Sequence, residues 1–189
     1  MSDTLKGLIR SFFNVKIPPF RRVLLVESGS RDLLEDLIPG IYKNHPNVEI
    51  DLVTCYGGQP KALRSTARIF RVTDYGGSEG RERLLADVNL RAYDVLGMIC
   101  AAEPIMTKWK WWLAWKLSRA KAFALNENGD YFWIDRAHSS ILSHFVLFRL
   151  GMTGAGAPAA IARLLFLPLS VTGLILFACW VHLRRRGPA

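Results

Sequence analysis

The feature of this sequence that most constrains its fold is an uncharged apolar run near its end. The run covers residues 164–181 and reads LLFLPLSVTGLILFACWV. About 20 helical residues cross the roughly 30 Å hydrocarbon core of a bilayer, so a helix over residues 158–183 has the length of a membrane helix. An aromatic residue followed by a basic tail, residues 184–189, is typical of an interfacial anchor. The residues assigned to membrane contact at this end are Trp180, Arg184, Arg185 and Arg186.

Two arrangements of this helix are open. We expect the globular body to face the cytoplasm, because the sequence shows no secretory signal and its three cysteines are widely spaced. In a simple span, the helix crosses once and the preference of arginine for the cytoplasmic side is overridden. In a re-entrant form, it breaks at residues 168–170 and keeps Arg163 and the terminal arginines on one side. Proline removes a backbone donor there, and Ser170 can satisfy a freed carbonyl group.

The excess positive charge lies in three segments. The net charge is +9; residues 1–22 carry five basic side chains and one acid, residues 104–121 five and none, and residues 151–189 four and none. The rest of the chain has more acidic than basic residues. Because the basic groups flank apolar or tryptophan-rich stretches, they indicate an anionic lipid partner and not a nucleic acid.

Residues 22–150 alternate between strand-like and helix-like patterns. The apolar run 22–27 predicts a buried parallel strand, and the helical spacing over residues 31–44 predicts the helix that follows it. Further strands are expected at 48–53, 69–72, 93–100 and 122–125, an extended piece at 131–134, and helices at 81–90, 104–117 and 138–150. This order predicts a single Rossmann-like parallel sheet of about five strands in the order 3-2-1-4-5, flanked by helices. Residues 151–157 are expected to link it to the membrane helix.

Ligands of such sheets bind beyond the carboxyl ends of the strands. The loop Ser28–Arg31 opens a helix there, so its backbone amides and the Arg31 side chain can hold an anion. An ordinary strand-to-helix turn, with serine as the N-cap, explains the same residues. The histidines and cysteines have no metal-ligand spacing, and neither a GxSxG nor a GxxxxGK[ST] motif occurs. We therefore predict no metal and no cofactor.

A helix rich in tryptophan and lysine covers residues 107–117, which read TKWKWWLAWKL. Tryptophan prefers the membrane interface, and lysine can reach lipid phosphates. Packing of some of these rings on the sheet is compatible with lipid contact by the others. The residues assigned to membrane contact here are Lys108, Trp109, Trp111, Trp112, Trp115 and Lys116. Residues 1–21 form a second, amphipathic interfacial segment.

The segments VESGSRD, LIPGIYKNHPNVEIDLVT, LRAYDVLGMIC and LSRAKAFALNENGD give residues 22–135 a resemblance to a known family. The chain resembles the N-terminal half of glycosyltransferase family 9, the heptosyltransferase-like GT-B enzymes. By that resemblance Asp32 is the general base that acts on an acceptor sugar hydroxyl, although an ordinary acid in the first turn of a helix is the alternative. The resemblance also implies substrate binding by Ser28, Gly29, Ser30, Arg31 and Glu103.

Such enzymes bind their donor mainly on a second domain, so the resemblance implies a partner transferase or a homodimer mate. It leads us to expect a membrane-anchored, glycosyltransferase-like protein of envelope glycan or glycolipid assembly that faces a lipid-linked glycan acceptor. The alternative is a non-catalytic, membrane-tethered binding or scaffold module that serves a partner enzyme.

Overall fold

The computed structural model describes residues 3–101, 105–126, 130–153 and 157–185. The helices are α1 (Asp3–Phe13), α2 (Arg31–Asn44), α3 (Gly77–Asn89), α4 (Thr107–Lys116), α5 (Ser139–Arg149) and α6 (Ala157–Arg185). The strands are β1 (Arg22–Val26), β2 (Glu49–Thr54), β3 (Ile69–Arg71), β4 (Val95–Cys100), β5 (Lys121–Asn126) and β6 (Tyr131–Trp133).

One mixed sheet contains all six strands, in the order β3-β2-β1-β4-β5-β6. Strands β1 to β5 are parallel, which confirms the expected order 3-2-1-4-5. The extended piece expected at residues 131–134 is β6, which runs antiparallel to β5. The short connection between β5 and β6 explains this direction, because a parallel neighbour needs a crossover of a dozen or more residues.

Both faces of the sheet are covered, as the continuous apolar run of β1 predicts. Val23 and Leu25 belong to one core cluster, which α2 covers with Leu34, Ile38 and Ile41. Leu24 and Val26 point to the other face, under α3 and α4. In that second cluster, α3 buries Leu84 and Val88, and α4 buries Leu113. The two faces of one strand thus hold two separate cores.

Two helix starts differ from the expected ones. Helix α3 begins at Gly77 and not at residue 81, because the glycine-containing residues 77–80 already form its first turn. Gly77 has φ 73°, a left-handed conformation that lets the chain enter this helix. Helix α4 begins at Thr107, after Met106, which is also left-handed at φ 51°.

The chain divides into two compact units, residues 1–139 and 140–189. The second unit contains α6, which is continuous through Pro168, so the helix has no break at residues 168–170 of the kind that the re-entrant arrangement requires. Near the proline, the hydroxyl groups of Ser170 and Thr172 donate to the carbonyls of Phe166 and Pro168, each four residues earlier in the helix. Among the described residues, no helix has the length and apolar character needed to cross a membrane.

Candidate functional site: the carboxyl rim of the sheet

Four parallel strands end at one edge of the sheet, which we call the carboxyl rim. It contains residues 27–32 after β1, residues 54–58 at the end of β2, and residues 101 and 126 at the ends of β4 and β5. All the candidate substrate-binding residues from the sequence belong to this rim except Glu103. That residue lies outside the described part of the chain.

Glu27 and Arg31 form the central ion pair of the carboxyl rim. The Glu27 side chain is fully buried, and its carboxylate accepts from Arg31 Nε at 2.8 Å and from Arg31 Nη2 at 3.0 Å. The Thr54 hydroxyl donates to the same carboxylate. Arg31 Nη1 donates to the Gly57 carbonyl at 2.8 Å. Hydrogen bonding to Glu27, which outweighs the opposing effect of burial, raises the pKa of Arg31 above its ordinary value.

This pairing gives Arg31 a positioning role in the loop. Its guanidinium connects the start of α2 to the loop after β2, and it also lies over the Tyr56 ring, 5.4 Å from the centroid. The Tyr56 hydroxyl donates to the Gly29 carbonyl at 3.2 Å. Two loops of the carboxyl rim are therefore joined by single hydrogen bonds and by the Arg31–Tyr56 contact, which restrict how each loop can move.

The serines and glycine of the first loop hold it against β4. Ser28 is buried, and its hydroxyl donates to the Ile99 carbonyl. A Cβ atom on Gly29 would lie 2.5 Å from Ile99 Cγ2, so the close approach of the backbone requires glycine there. Ser30 is the N-cap of α2 and accepts from the Leu33 amide at 3.4 Å, as expected for an N-cap serine.

Asp32 lies in the first turn of α2 and is exposed. Among the described residues we find no hydrogen bond or ion pair to its carboxylate. The same loop thus has one buried acid, Glu27, which is paired with Arg31, and one exposed acid, Asp32. The geometry is compatible both with a base that receives a substrate proton and with an acid that stabilises the helix N-terminus.

Lys110 belongs to the helix rich in tryptophan and lysine, but its side chain is buried against β4. It is only 5% exposed, and its ammonium group donates to the Ile99 carbonyl at 3.1 Å, the same oxygen that accepts from Ser28. Cys55 lies nearby on β2's exit loop, where burial raises the pKa of its thiol. A thiol with a raised pKa is a poor nucleophile at neutral pH.

The tryptophans of α4 divide between two environments. Trp109 and Trp112 pack against the core under this helix, with their rings in edge-to-face contact at 5.9 Å. Trp111 and Trp115 are more than two-fifths exposed, and Lys108 is exposed too. Lys116 Nζ lies 3.9 Å from Glu82 of α3. One face of the helix packs on the sheet while the other presents two indole rings.

The remaining candidates lie at the C-terminus. Trp180 is exposed in α6, and its ring lies 6.2 Å from the ring of Phe177. Arg184 and Arg185 belong to the last turn of α6, and Arg186 lies outside the described residues. No group of three or more metal-ligating side chains occurs in the described part of the chain.

Sequence reasoning missed two buried acids. Glu27 was read as the end of a strand, although its spacing of four residues from Arg31 was a usable signal. Asp51 accepts from the Tyr93 hydroxyl at 2.6 Å and from Arg91 at 3.1 Å. Burial, reinforced by Asp51, raises the pKa of Tyr93 well above its ordinary value. These contacts hold the segment between α3 and β4 against β2.

Comparisons of the chain with protein-family models, with curated proteins and with solved structures found no match.

Proposed function

We propose that this chain is a membrane-attached, glycosyltransferase-like protein of envelope glycan or glycolipid assembly, and that its carboxyl rim faces a lipid-linked acceptor. The observation that carries the proposal is the exposed Asp32 carboxylate, which follows Arg31 directly in the loop that the Glu27–Arg31 pair orders. An ordered backbone at this edge of the sheet places the Asp32 carboxylate where an acceptor hydroxyl can reach it. The resemblance to glycosyltransferase family 9 supplies the reaction class.

In this reaction the acceptor hydroxyl attacks the anomeric carbon of an activated sugar. A new C–O bond forms, the bond to the nucleotide phosphate breaks, and Asp32 takes the hydroxyl proton. Arg31 keeps its contacts with Glu27 and Gly57 and orders the loop. An acidic or phosphorylated part of the acceptor then binds the backbone amides of residues 29–31 at the start of α2, because the amide of the buried Ser28 already donates to the Val26 carbonyl.

Attachment to the membrane is proposed through α6. Large apolar side chains of this helix are about half to two-thirds exposed from Leu165 to Trp180, and no charged residue interrupts the sequence between them. Apolar surface of this extent is costly in water and is typical of a site that contacts lipid or another protein. Contact of this exposed apolar surface with lipid, with the body on the cytoplasmic side, is the arrangement we propose. Trp111, Trp115 and Lys108 add interfacial contact.

A second candidate is a non-catalytic module that binds a glycolipid or a partner transferase. The internal pairing of the charges at the carboxyl rim favours it. Glu27, Arg31 and Thr54 bind one another and leave these polar groups less available to a substrate. The two candidates share the membrane attachment and differ in turnover.

Turnover is tested with the full chain purified in mild detergent and screened for nucleotide-sugar hydrolysis or transfer, with and without co-purifying proteins. We expect activity that falls at least a hundredfold in Asp32→Asn, which is the usual contribution of a general base. Asp36→Asn, which changes an exposed acid one turn further along α2, is the matched control and should keep activity. Activity that survives Asp32→Asn contradicts the catalytic assignment, and activity that needs a second protein favours the accessory role.

Attachment is tested by removing residues 158–189, which should move the protein from the membrane fraction to the soluble fraction. A shortened chain that stays in the membrane after a high-salt wash would show that another segment is the main anchor. A cysteine at Ala189, in a chain whose native cysteines are replaced, reports topology through an impermeant thiol reagent. Labelling from outside would show that the C-terminal segment crosses the membrane, and protection together with a cytoplasmic body would show that it stays on the side of the body.

A further inference from the structure

An apolar pocket lies on the α2 face of the sheet, within the first unit. It has a volume of about 950 Å³ and is bounded by α2, by residues 17–20 and by the last two strands. Side chains that line it include Leu37, Phe123, Leu125, Tyr131 and Trp133. Its floor is aromatic, because Trp133 contacts both Phe123 and Phe20 edge to face, at 5.6 and 5.9 Å between ring centroids. The size is that of a site for a small organic ligand.

A basic groove of about 450 Å³ lies next to this pocket, at the amino edge of β5. Helix α1 forms one wall, and the turn after α4 forms the other. The two walls approach so closely that a Cβ on Gly7 would lie 2.4 Å from the Ser118 hydroxyl oxygen. The basic side chains that line the groove are Lys6, Arg10, Lys16, Arg119 and Lys121, and none of its described lining residues is acidic.

One of these five cations is already neutralised. Lys121 Nζ lies 2.8 Å from Asp135 Oδ2 and also donates to the Asn14 carbonyl at the end of α1. The other four are exposed and form no ion pair with any described residue. Lys121 therefore holds α1 in place, and the other four give the groove a positive potential without an internal counter-ion.

Pro18 lines both cavities, so the apolar pocket and the basic groove adjoin. We propose that together they bind a membrane lipid that carries a phosphate headgroup and a hydrocarbon chain, with the phosphate in the groove and the chain in the pocket. Charge complementarity identifies the headgroup as anionic, and the apolar lining requires a chain behind it. None of the residues involved belongs to the carboxyl rim, so this site is independent of glycosyl transfer.

Exposed apolar residues around the groove place it where a lipid can enter. Ile9 and Phe13 of α1, and Val15 and Ile17 after it, are all two-fifths to three-fifths exposed. They alternate with Arg10 and Lys16, which is the composition of an interfacial segment. A chain leaving the acyl layer beside this segment reaches the apolar pocket past Pro18.

The test uses the full chain in a neutral detergent, with dodecyl phosphate added at increasing mole fraction of the micelle. Binding is followed by the rise in the thermal unfolding midpoint, which reports ligand bound to the folded state. We expect saturation by dodecyl phosphate. Inorganic phosphate has only the headgroup and dodecanol has the chain without a phosphate. Each should need at least a tenfold higher concentration than dodecyl phosphate for the same rise in the unfolding midpoint.

Two pairs of variants locate the site. Gly40 lines the pocket, and a Cβ there meets no atom within 4 Å, so Gly40→Trp should fill the cavity while Gly40→Ala leaves it open. The double variant Lys6→Glu/Arg10→Glu removes the groove potential, and Arg71→Glu/Arg83→Glu changes net charge equally at exposed positions elsewhere. Gly40→Trp and Lys6→Glu/Arg10→Glu should each raise the mole fraction of dodecyl phosphate at half-saturation about tenfold or more. Their controls should change that mole fraction less than twofold. If Gly40→Trp does not fold, Gly40→Leu replaces it.

The proposal is overturned if the four variants bind dodecyl phosphate alike, because the ligand would then act through the micelle. It is also overturned if inorganic phosphate alone, or dodecanol alone, acts as strongly as dodecyl phosphate. Asp32→Asn should bind dodecyl phosphate normally. A failure of the transferase assay therefore leaves this proposal standing, and the reverse also holds.

Discussion

The two edges of the sheet use their charges in opposite ways. At the carboxyl rim, Arg31 is about one-quarter exposed and is paired with the fully buried Glu27. At the amino edge, Lys121 is paired with Asp135, but four neighbouring cations of the basic groove face solvent and have no carboxylate partner in the described part of the chain. Paired, buried charges position loops and helices, because a buried charge is stable only with its partner. Unpaired, exposed charges contribute little to stability and are available to a ligand.

The largest expected effect is the loss of the buried pair at the amino edge. Lys121→Met leaves the nearly fully buried Asp135 carboxylate without its ammonium partner and removes the donor to Asn14. We expect the free energy of unfolding to fall by about 3–5 kcal/mol, measured by urea denaturation. Lys116→Met, a more exposed lysine at the end of α4, is the control. A loss below 1 kcal/mol would contradict a structural role for Lys121.

The pair at the carboxyl rim should contribute somewhat less. Glu27→Gln leaves Arg31 without its carboxylate, but Arg31 reaches solvent and can be hydrated. We expect a loss of about 2–3 kcal/mol in the same measurement. Glu49→Gln alters a carboxylate that is more than half exposed and should cost less than about 1 kcal/mol. Equal losses in the two variants would remove the distinction between buried and exposed pairs.

Acid should weaken the amino edge through Asp135. Burial alone would raise the pKa of Asp135, but Lys121 and His138 outweigh it, so the pKa lies below the ordinary value. A lowered pKa adds stability above the ordinary aspartate pKa of about 3.9, and this part is lost as the pH falls through the lower, folded-state value. Between pH 7 and pH 3, the free energy of unfolding from urea denaturation should fall less in Asp135→Asn than in the unchanged chain. An equal fall in both proteins would contradict a contribution of Asp135 to the loss of stability in acid.

Gly40→Ala should stabilise α2 without touching either edge. Gly40 lies inside this helix and has open space at its Cβ position. Replacing glycine by alanine in a helix interior gains up to about 1 kcal/mol. Thermal unfolding of the full chain measures the gain. A destabilised variant would mean that the backbone at Gly40 is strained by the preceding Pro39.

The smallest effect on stability is expected at the unpaired cations of the basic groove. Lys6→Glu/Arg10→Glu should change the free energy of unfolding by less than about 0.5 kcal/mol, since these side chains are exposed and make no described ion pair. Urea denaturation of this double variant and of Lys121→Met compares the unpaired cations of the groove with the paired one. A loss of several kcal/mol would show that these cations hold α1 in place instead of facing a ligand.

Most of the sheet could be predicted from the sequence because its signals are local. The limits of α2 follow from helical spacing between Ser30, which caps it, and His45, which ends it. The order of the parallel strands follows from the handedness of the crossovers. The start of α3 was misplaced because the glycines at residues 76–80 indicate a loop as readily as a first helical turn.

The candidate residues divide in the same way. The position of Asp32 at the start of α2 was predictable, since it depends only on a strand, a turn and a helix in succession. Lys110 was not, because its helix carries lysines on both faces and only docking on the sheet decides which one is buried. The sequence alone therefore determined the order of the sheet, the loop with Asp32 and the apolar run at residues 164–181.

The tertiary structure alone decided which charges are paired. Lys121 reaches Asn14, a residue 107 positions away, and Arg31 reaches Gly57, 26 positions away. No local pattern encodes such contacts, because they depend on how loops and helices pack after the sheet has formed. The same packing brings α1 beside the turn after α4 and creates the basic groove next to the apolar pocket. A charge becomes structural or available according to the low-dielectric surroundings that the fold places around it.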